Sequence, residues 1–521
     1  MLTPLKHKNK HSLNLDLIIL LIFSIVSIVF ALILGQDVSI DRNAYHIYNG
    51  WALINSRTDI DVTAADGLHG YFSPVLDAIQ YLGFHYLCPV IYVSMLGMIS
   101  GIGAFICYKI NKMILPNNLL IILCATLIST TGVASLVQMA IITNENIIAL
   151  ILIFGFYQIL KYYQNSKSKH LIFSGIALGL AFGFKMTAVT SICAIIVGCF
   201  LQARNHTIKF LILLFTFILT FILVDGFWLL KMYRMFGNPI YPNFGHLINP
   251  KTAINFSRDD RFIPKDLKHF LLMPFYIGKF SIGLNAEPGM SDWRFFFSFI
   301  SILGIIITWR KQYNTKLPQQ VPVSQIALHQ TYIKCTVATF LIAFYVWMLL
   351  FSIQRYTIFL EYLSGTIVIY GVTRIQSMKN SKHLRVAMIV SCVVLTLAIV
   401  VTTRFVPSSR VPISIQLKTI NAKMTDCLVV LGGVTSYIAP LLGLSNVYIN
   451  TPDNSFNCEM NRKKKEDLIK YYKAHNKKIY FIYLDSNHED LNWLSAYGLA
   501  INANDCYKLS TPAHENLCLL H

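Results

Sequence analysis

The chain has 521 residues, of which 55% are hydrophobic and 13% are charged, and its formal net charge is +19. Soluble proteins carry about 25% charged residues, and a soluble chain of this length would need them to cover its surface. The composition therefore excludes a water-soluble enzyme for most of the chain. It predicts an α-helical polytopic membrane protein, since about 20 apolar residues in a helix cross about 30 Å of hydrocarbon.

Apolar stretches that end at Lys, Arg or turn residues predict about 11 transmembrane helices. They lie at about 15–35, 86–108, 118–138, 141–160, 171–184, 187–201, 208–230, 293–309, 332–351, 357–373 and 384–403. The first apolar run is longer than that of a usual signal peptide, so we expect an uncleaved helix. Between the short fifth and sixth stretches lies Lys185, which predicts two short helices meeting at a polar turn rather than a charge at the bilayer centre.

Basic residues are distributed asymmetrically over the connections between these spans. With the N-terminus in the cytoplasm, alternate connections hold eighteen Lys and Arg residues and only one acid, Asp16. This is the pattern of a cytoplasmic face. The positive charge therefore predicts a cytoplasmic N-terminus and an extracytoplasmic C-terminus, and it does not indicate nucleic-acid binding.

Three parts of the chain are then predicted to lie outside: loops 36–85 and 231–292 of a membrane domain 1–403, and the segment 404–521. The last contains strand-like stretches at Leu428–Leu431, Val447–Ile449 and Ile479–Leu484, and helix-like stretches at 463–477 and 489–497. We expect a small extracytoplasmic α/β domain with its own core. Its cysteines allow one or two disulfides in an oxidising compartment, with the pairing open among Cys427, Cys458, Cys506 and Cys518.

The first outer loop carries the densest group of polar side chains. A carboxylate, an imidazole and two tyrosines stand within residues 41–51. Asp41, Tyr45 and Tyr48 recur at helical spacing and would share one face of a helix. Such groups beside apolar cover indicate a binding site. An interfacial helix with its aromatic rings in the headgroup belt, and Asp41 as its N-cap, explains the same pattern without a site.

The second outer loop combines turn residues with charge. Proline and glycine within 236–244 predict turns. The quartet Arg258-Asp259-Asp260-Arg261 offers guanidinium groups for phosphate and carboxylates for a metal or a hydroxyl, and the alternative is a solvated charge cluster. Further charges at the ends of later spans are either interfacial anchors or line a cavity: Asp292, Arg294, Arg355 and Glu361.

Together these segments resemble the GT-C superfamily of integral-membrane glycosyltransferases. The resemblance is carried by an Asp after the first span, short paired helices with a Lys at their turn, and an Arg-Tyr pair before a late span: Asp41, Gly175–Gly179 with Lys185–Thr187, and Arg355-Tyr356. Other segments are similar to a group of bacterial proteins of this type: 41–50, Tyr71–Asp77, Gly237-Asn238-Pro239 with Tyr241-Pro242, and Asp260-Arg261-Phe262 with Pro264. The resemblance covers residues 1 to about 403 and part of the outer domain.

The resemblance implies transfer of a sugar from a polyprenyl-phosphate-linked donor to a glycan, lipid or protein acceptor, at the periplasmic face of a bacterial inner membrane. It implies Asp41 as the general base, although the second acid found in several families is replaced here by Arg42, which leaves Asp37 and Asp77 as alternatives. The implied cations for the departing phosphate are Lys185, Arg258, Arg261, Arg294 and Arg355. Further implied substrate-binding residues are Tyr45, His46, Tyr48, Asn238, Tyr241, Asp260 and Tyr356.

No spacing in the chain demands a cofactor. Oxygen ligands for a divalent metal are available if Asp41 lies beside Asp259 or Asp260, so the metal requirement stays open. If the donor is a lipid monophosphate, we favour metal-free transfer.

Two other classes of protein compete with a glycosyltransferase. A transporter or lipid flippase often has internal repeats and broken or charged helices near the membrane midplane. Here the sequence has no evident repeat, and its polar residues gather at the outer ends of spans. A non-catalytic scaffold would leave the polar group of the first outer loop without a role.

Overall fold

The computed structural model describes residues 9–62, 64–65, 67–202, 207–250, 261–279, 290–312, 323–376, 382–406, 410–413, 424–451, 459–484, 488–511 and 514–521. The chain forms a bundle of apolar helices that carries a five-stranded α/β unit against the loops at one end. We call this end of the bundle the sheet end.

The first half of the bundle contains ten helices among the described residues: α1 (Asn9–Leu34), α2 (Ile47–Ile54), α3 (Val75–Tyr86), α4 (Pro89–Ile114), α5 (Leu119–Thr130), α6 (Val133–Val137), α7 (Glu145–Asn165), α8 (Lys169–Phe184), α9 (Val189–Phe200) and α10 (Thr207–Phe236). The second half adds α11 (Gly245–Ile248), α12 (Leu267–Tyr276), α13 (Arg294–Gln312), α14 (Val323–Leu350), α15 (Ile358–Gln376) and α16 (Lys382–Thr402). Each of the eleven predicted stretches overlaps a helix, and the stretch 118–138 overlaps two, α5 and α6.

Six helices in the described part of the chain are long and apolar enough to cross a membrane: α1, α4, α7, α10, α14 and α16. Only 11–17% of the most apolar window of α1, α10 and α16 is buried, against 50–61% for the other three. Helices that expose apolar side chains over most of their surface need lipid around them. The chain is therefore an integral membrane protein, with α1, α10 and α16 on the lipid-facing surface.

Two connections break the helices near the sheet end. The predicted span 118–138 divides into α5 and α6, and Gly132 lies between them. At the other connection Lys185 is extended, with φ −155° and ψ 109°, and α9 begins four residues later. The two short helices that the sequence predicts around this lysine are therefore present.

The α/β unit is built from five strands and three helices. They are β5 (Leu428–Leu431), α17 (Ala439–Leu442), β6 (Val447–Asn450), α18 (Glu459–Ala474), β7 (Ile479–Tyr483), α19 (His488–Ala496), β8 (Ile501–Lys508) and β9 (Asn516–Leu520). The strands are joined in the order β6-β5-β7-β9-β8, in which the first two pairings are parallel and the last two are antiparallel. The three predicted strands and two predicted helices are found, whereas β8 and β9 were not predicted.

One disulfide, Cys506–Cys518, joins β8 to β9. Cys427 is a buried free thiol, and Cys458 lies outside the described residues. Of the pairings that the sequence left open, this one joins the two strands at the antiparallel edge of the sheet.

Short strands tie the bundle to the segment that follows α16. Antiparallel pairs join β1 (Gln36–Asp37) to β4 (Arg410–Val411) and β2 (Met290–Ser291) to β3 (Arg404–Phe405). The first loop also packs directly on the sheet, since Ile47, Tyr48 and Trp51 share one apolar core with Val429 and Tyr448. These contacts hold the loops of the sheet end between the helical bundle and the α/β unit.

Candidate active site

The site begins in the first loop, where Asp41 leads into a π-helical turn, Arg42–His46. Buried neighbours hold this turn. Arg42 donates to the carbonyl oxygen of Asp37 at 2.8 Å and stacks on Phe84, and His46 Nδ1 lies 2.7 Å from Asp77 Oδ1. With these two side chains anchored, Asp41 projects from a fixed backbone. π-Helical turns are rare in proteins, and a large share of those that occur lie at functional sites.

Asp41 forms an ion pair with Arg355, with 2.7 Å between Oδ2 and Nη1. Arg355 stands in a short 3₁₀ turn, Gln354–Thr357, between α14 and α15, and about a quarter of each side chain is exposed. Burial favours the neutral acid, but Arg355, assisted by His46, His69 and Lys185, outweighs it and lowers the pKa of the Asp41 carboxyl. Asp41 is therefore a carboxylate at neutral pH.

Lys185, at the break between α8 and α9, is held beside this pair. Its Nζ donates to Glu145 Oε1 at 2.5 Å and to the carbonyl oxygen of Thr143 at 2.9 Å. The Tyr356 ring lies 5.6 Å from Lys185 Nζ and 5.5 Å from Arg355 Cζ. One aromatic ring thus brings the two cations together, although they are 170 residues apart in sequence.

A narrow crevice of about 30 Å³ runs from these charges between α7, α9 and α15. Its polar end is lined by Glu145, Lys185 and Arg355, and its other walls include Ile148, Leu152 and Phe359. Ile148 and Leu152 lie about one and two helical turns beyond Glu145 on α7. The crevice therefore joins two cations to an apolar wall within the helical bundle, in a space of about one water molecule as it stands.

Tyr45 closes the side of this charged group that faces the first loop. Its ring stacks on that of His69 at 4.1 Å. Burial, together with the negative charge of Asp41, raises the pKa of the Tyr45 phenol well above its ordinary value. Tyr45 is thus a neutral hydroxyl that donates or accepts one hydrogen bond next to the carboxylate.

The structure brings together five of the sequence-predicted site residues: Asp41, Tyr45, Lys185, Arg355 and Tyr356. His46 and Tyr48 point elsewhere. His46 is bonded to Asp77, and the Tyr48 hydroxyl donates to Asp61 at 2.7 Å.

The alternative base candidates are engaged in the fold. Asp37 accepts from the backbone N–H groups of Ser39 and Ile142, and Asp77 accepts from His46 and Asn144. Both side chains are buried. Their carboxylates stabilise the first loop, and they lie outside the crevice lining.

Other predicted substrate-binding residues are also used inside the fold. Arg294 is fully buried, pairs with Asp292 at 2.6 Å and donates to the carbonyl oxygens of Ile128 and Thr131 at the end of α5. Asn238 bonds within its own turn, to the backbone of Ile240 and Asn243. The sequence-based expectation that Arg294 faces a phosphate does not fit this burial, because none of its guanidinium surface is exposed.

Tyr241 stacks on Phe236 at 3.8 Å and meets Tyr71 edge to face, in an apolar cluster away from the crevice lining. Arg261 is exposed, and its guanidinium lies 5.1 Å from the Phe262 ring. The predicted residues Arg258 and Asp260, with Asp259, lie outside the described residues.

Sequence reasoning missed Glu145 and His69. Glu145 was the only acid inside the predicted span 141–160, and an acid at that position in a membrane helix is costly unless paired. This cost was the sequence signal that could have identified Glu145. The sequence holds no comparable signal for His69, because its place beside the site comes from stacking on Tyr45 in the folded protein. In the described part of the chain no three His, Cys, Asp or Glu side chains are close enough to hold a metal ion.

Comparison with known proteins finds similarity at the level of the fold. No protein-family model and no curated protein sequence matches the chain. The structure matches crystal structures of ArnT from Cupriavidus metallidurans, bound to undecaprenyl phosphate and in the apo state, each with TM-score 0.55 and 10% sequence identity. The first match covers 98% of both chains, and the second covers 96% of this chain and 97% of the other. The chain thus shares the overall fold of ArnT over 96–98% of its length, including the α/β unit.

Proposed function

We propose that the chain is a membrane glycosyltransferase that takes a sugar from a polyprenyl-phosphate donor and transfers it to an acceptor hydroxyl at the sheet end. The observation that carries this proposal is the pair Lys185 and Arg355 over Tyr356, next to Asp41 and at the head of an apolar crevice. The two cations pair with the negative charge of a phosphate, and the apolar wall packs against an isoprenoid chain. The fold shared with ArnT, one structure of which holds undecaprenyl phosphate, supports the same donor class.

In the proposed reaction the donor phosphate binds Lys185 and Arg355. Because phosphate competes for the Arg355 guanidinium, it loosens the ion pair and exposes the Asp41 carboxylate. The acceptor hydroxyl attacks the anomeric carbon of the donor, its proton passes to Asp41, and the bond between that carbon and the phosphate oxygen breaks. The lipid phosphate leaves with the electron pair of this bond, and the two cations stabilise its negative charge.

The test is transfer of radiolabelled sugar from a panel of undecaprenyl-phosphate-linked pentoses and hexoses by the purified protein in nanodiscs. Cleavage of the donor by water and transfer to extracted membrane glycans and glycolipids are both measured. We expect Asp41→Asn to lower transfer by about 10²–10⁴-fold, the usual contribution of a general base. The matched control, Asp426→Asn, removes a carboxylate that pairs with Lys477 at 2.7 Å in the α/β unit, and should keep full activity.

Wild-type transfer by Asp41→Asn would remove this residue as the base. Absence of donor cleavage by the wild-type protein with every donor would instead favour a transporter or flippase, to be tested by lipid movement in proteoliposomes. Assays with and without a chelator decide the metal requirement. Cysteine labelling of intact cells decides whether the sheet end faces the periplasm with the N-terminus in the cytoplasm, as the charge distribution predicts.

A further inference from the structure

A second and larger cavity, of about 590 Å³, lies between the first loop, the sheet end of α10 and helix α18 of the α/β unit. Its volume is within the range of about 300–1,000 Å³ that small-molecule sites occupy. None of the crevice-lining residues contributes to it. It is therefore a separate space, and the donor site described above does not account for it.

The walls of this cavity are held rigidly by the residues that line it. Trp228 is buried and its Nε1 donates to the carbonyl oxygen of Tyr71 at 2.8 Å. The Tyr71 hydroxyl accepts a hydrogen bond from Asn461, at the start of α18. Aromatic faces from the bundle and an amide from the α/β unit thus meet in one wall, which is preorganised before any ligand binds.

The opposite walls add exposed polar groups to these aromatic faces. On α18, Asp467 and Tyr471 line the cavity, and both are exposed to solvent. On the first loop the Asp59 carboxylate, mostly exposed, pairs with Lys231 at 2.8 Å. Tyrosine and tryptophan faces beside carboxylates and amides match a sugar, whose C–H faces stack on rings while its hydroxyls donate to acceptor oxygens.

The cavity and the crevice share a partition. Asn49 lines the cavity, and its Nδ2 donates to the carbonyl oxygen of His69 at 2.9 Å. The His69 ring stacks on Tyr45, which in turn lies beside Asp41. A ligand in the cavity is therefore separated from the Asp41 carboxylate by one layer of side chains, the layer of Asn49, His69 and Tyr45.

We propose that this cavity binds a sugar unit of the acceptor; the inference rests on the proposed glycosyltransferase function. An apolar chain would leave the Asp59–Lys231 pair and Asp467 desolvated without new partners. The charges that line the cavity are mixed, with Asp59, Asp61 and Asp467 against Lys231 and Lys464, so a strongly anionic ligand is not favoured. A neutral sugar satisfies both the rings and the polar groups, and its reactive hydroxyl reaches Asp41 once the side chains of Asn49, His69 and Tyr45 move aside.

The source of the sugar is a membrane glycolipid or a free glycan. On α10, Trp228 and Met232 face the cavity, while Phe227, Leu230 and Tyr233 on the same helix are each about half exposed on the lipid-facing surface. The cavity thus lies directly beside the membrane boundary. Both sources present the same chemistry to the site, and the experiment separates them.

Two variants test the cavity. Tyr471→Ala removes a ring that lines it, and Tyr507→Ala removes a ring of nearly equal exposure, 49% against 48%, on β8 away from it. Saturation-transfer NMR with methyl glucoside, methyl galactoside and methyl mannoside measures sugar binding to full-length protein in nanodiscs without any turnover. We expect at least one sugar to bind to wild type and Tyr507→Ala, with binding lost in Tyr471→Ala.

Transfer kinetics then use the bound methyl glycoside and its decyl counterpart as acceptors. Tyr471→Ala should raise the acceptor KM by at least about tenfold, the effect of one lost aromatic contact, while the donor KM and donor cleavage by water stay unchanged. A lower KM for the decyl glycoside than for the methyl glycoside identifies a glycolipid acceptor, and equal values identify a free glycan.

Absence of sugar binding to wild type, or unchanged binding and acceptor KM in Tyr471→Ala, would overturn the cavity proposal even if donor cleavage is found. Conversely, sugar binding that Tyr471→Ala abolishes, in a protein that cleaves no donor, would keep the sugar site and refute the glycosyltransferase. The two proposals therefore fail separately.

Discussion

Among single residues, Lys185 makes the most specific prediction about the donor. It has one carboxylate partner, Glu145, and lines the crevice. A charged hydrogen bond contributes about 1.5–3 kcal/mol, so Lys185→Ala should raise the donor KM by about 10–100-fold. Transfer kinetics at varied donor concentration measure this change.

Two further variants separate donor binding from folding, because Lys185→Ala also leaves Glu145 without its partner. Lys185→Arg keeps the positive charge and should recover most of the donor affinity. Lys477→Ala removes a lysine from another carboxylate pair, with Asp426, and should leave the donor KM unchanged. An unchanged donor KM in Lys185→Ala would show that this lysine only neutralises Glu145.

The Asp41 carboxyl gives a prediction about pH. Its pKa is lowered in the folded protein, chiefly because Arg355 outweighs burial, so it stays ionised above its ordinary value of about 4. The stability that the ion pair adds is present above that value and is lost as pH falls through the lowered pKa. We therefore expect no acidic limb from Asp41 in the pH profile of kcat/KM between about pH 5 and 8.

The control for this profile is His69→Gln, which removes an imidazole close to the Asp41 carboxylate. A limb that persists in His69→Gln and shifts in Asp41→Glu would contradict an ionised Asp41. A limb that disappears with His69 would belong to the histidine.

At the scale of helices and strands, hydropathy located the bundle but not its internal breaks. The predicted apolar stretches overlap helices because lipid-facing and buried surfaces are both apolar, and this is a property of each segment alone. The break between α5 and α6 has a different cause. Glu361 on α15 accepts from the backbone N–H groups of Ala134 and Ser135 and so caps the start of α6.

Gly132 allows this approach, since a Cβ there would meet the Glu361 carboxyl at 2.0 Å. Arg294 caps the other side of the break, where it donates to carbonyl oxygens at the end of α5. Both capping groups come from more than 150 residues away in sequence. Local sequence patterns do not reveal partners that are so distant. For this reason Arg294 was predicted to lie in the site, and one helix was predicted to cross the break.

The same limit applies to the site itself. The family resemblance implied Asp41, Lys185 and Arg355 as site residues, and the fold brings them together. The resemblance also implied His46, but its buried imidazole next to Asp77 is a packed structural pair. Strands β8 and β9 were missed because β8 alternates weakly, with most of its side chains exposed or half-buried at a sheet edge.

At the scale of the whole molecule, one buried ion pair joins the first loop to the α/β unit. Arg57 pairs with Asp61 at 2.6 Å and also donates to the carbonyl oxygens of Leu444 and Asn446. Asp61 accepts in addition from the backbone N–H of Tyr448. Since the proposed sugar cavity has one wall on each side of this joint, its shape depends on the joint being intact.

Arg57→Met should loosen the α/β unit, because it leaves the buried Asp61 charge and two carbonyl oxygens without their partner. Breaking a buried pair costs about 3–5 kcal/mol, which should lower Tm and speed proteolytic release of a C-terminal fragment. Acceptor KM should rise, while donor cleavage by the folded fraction stays the same, since Arg57 does not line the crevice.

Arg462→Met, which removes an exposed arginine 3.9 Å from Glu466, should change none of these quantities because exposed pairs contribute little. Adding Asp61→Asn to Arg57→Met should restore part of Tm by removing the unpaired charge, and unchanged proteolysis in Arg57→Met would show that the joint does not hold the α/β unit.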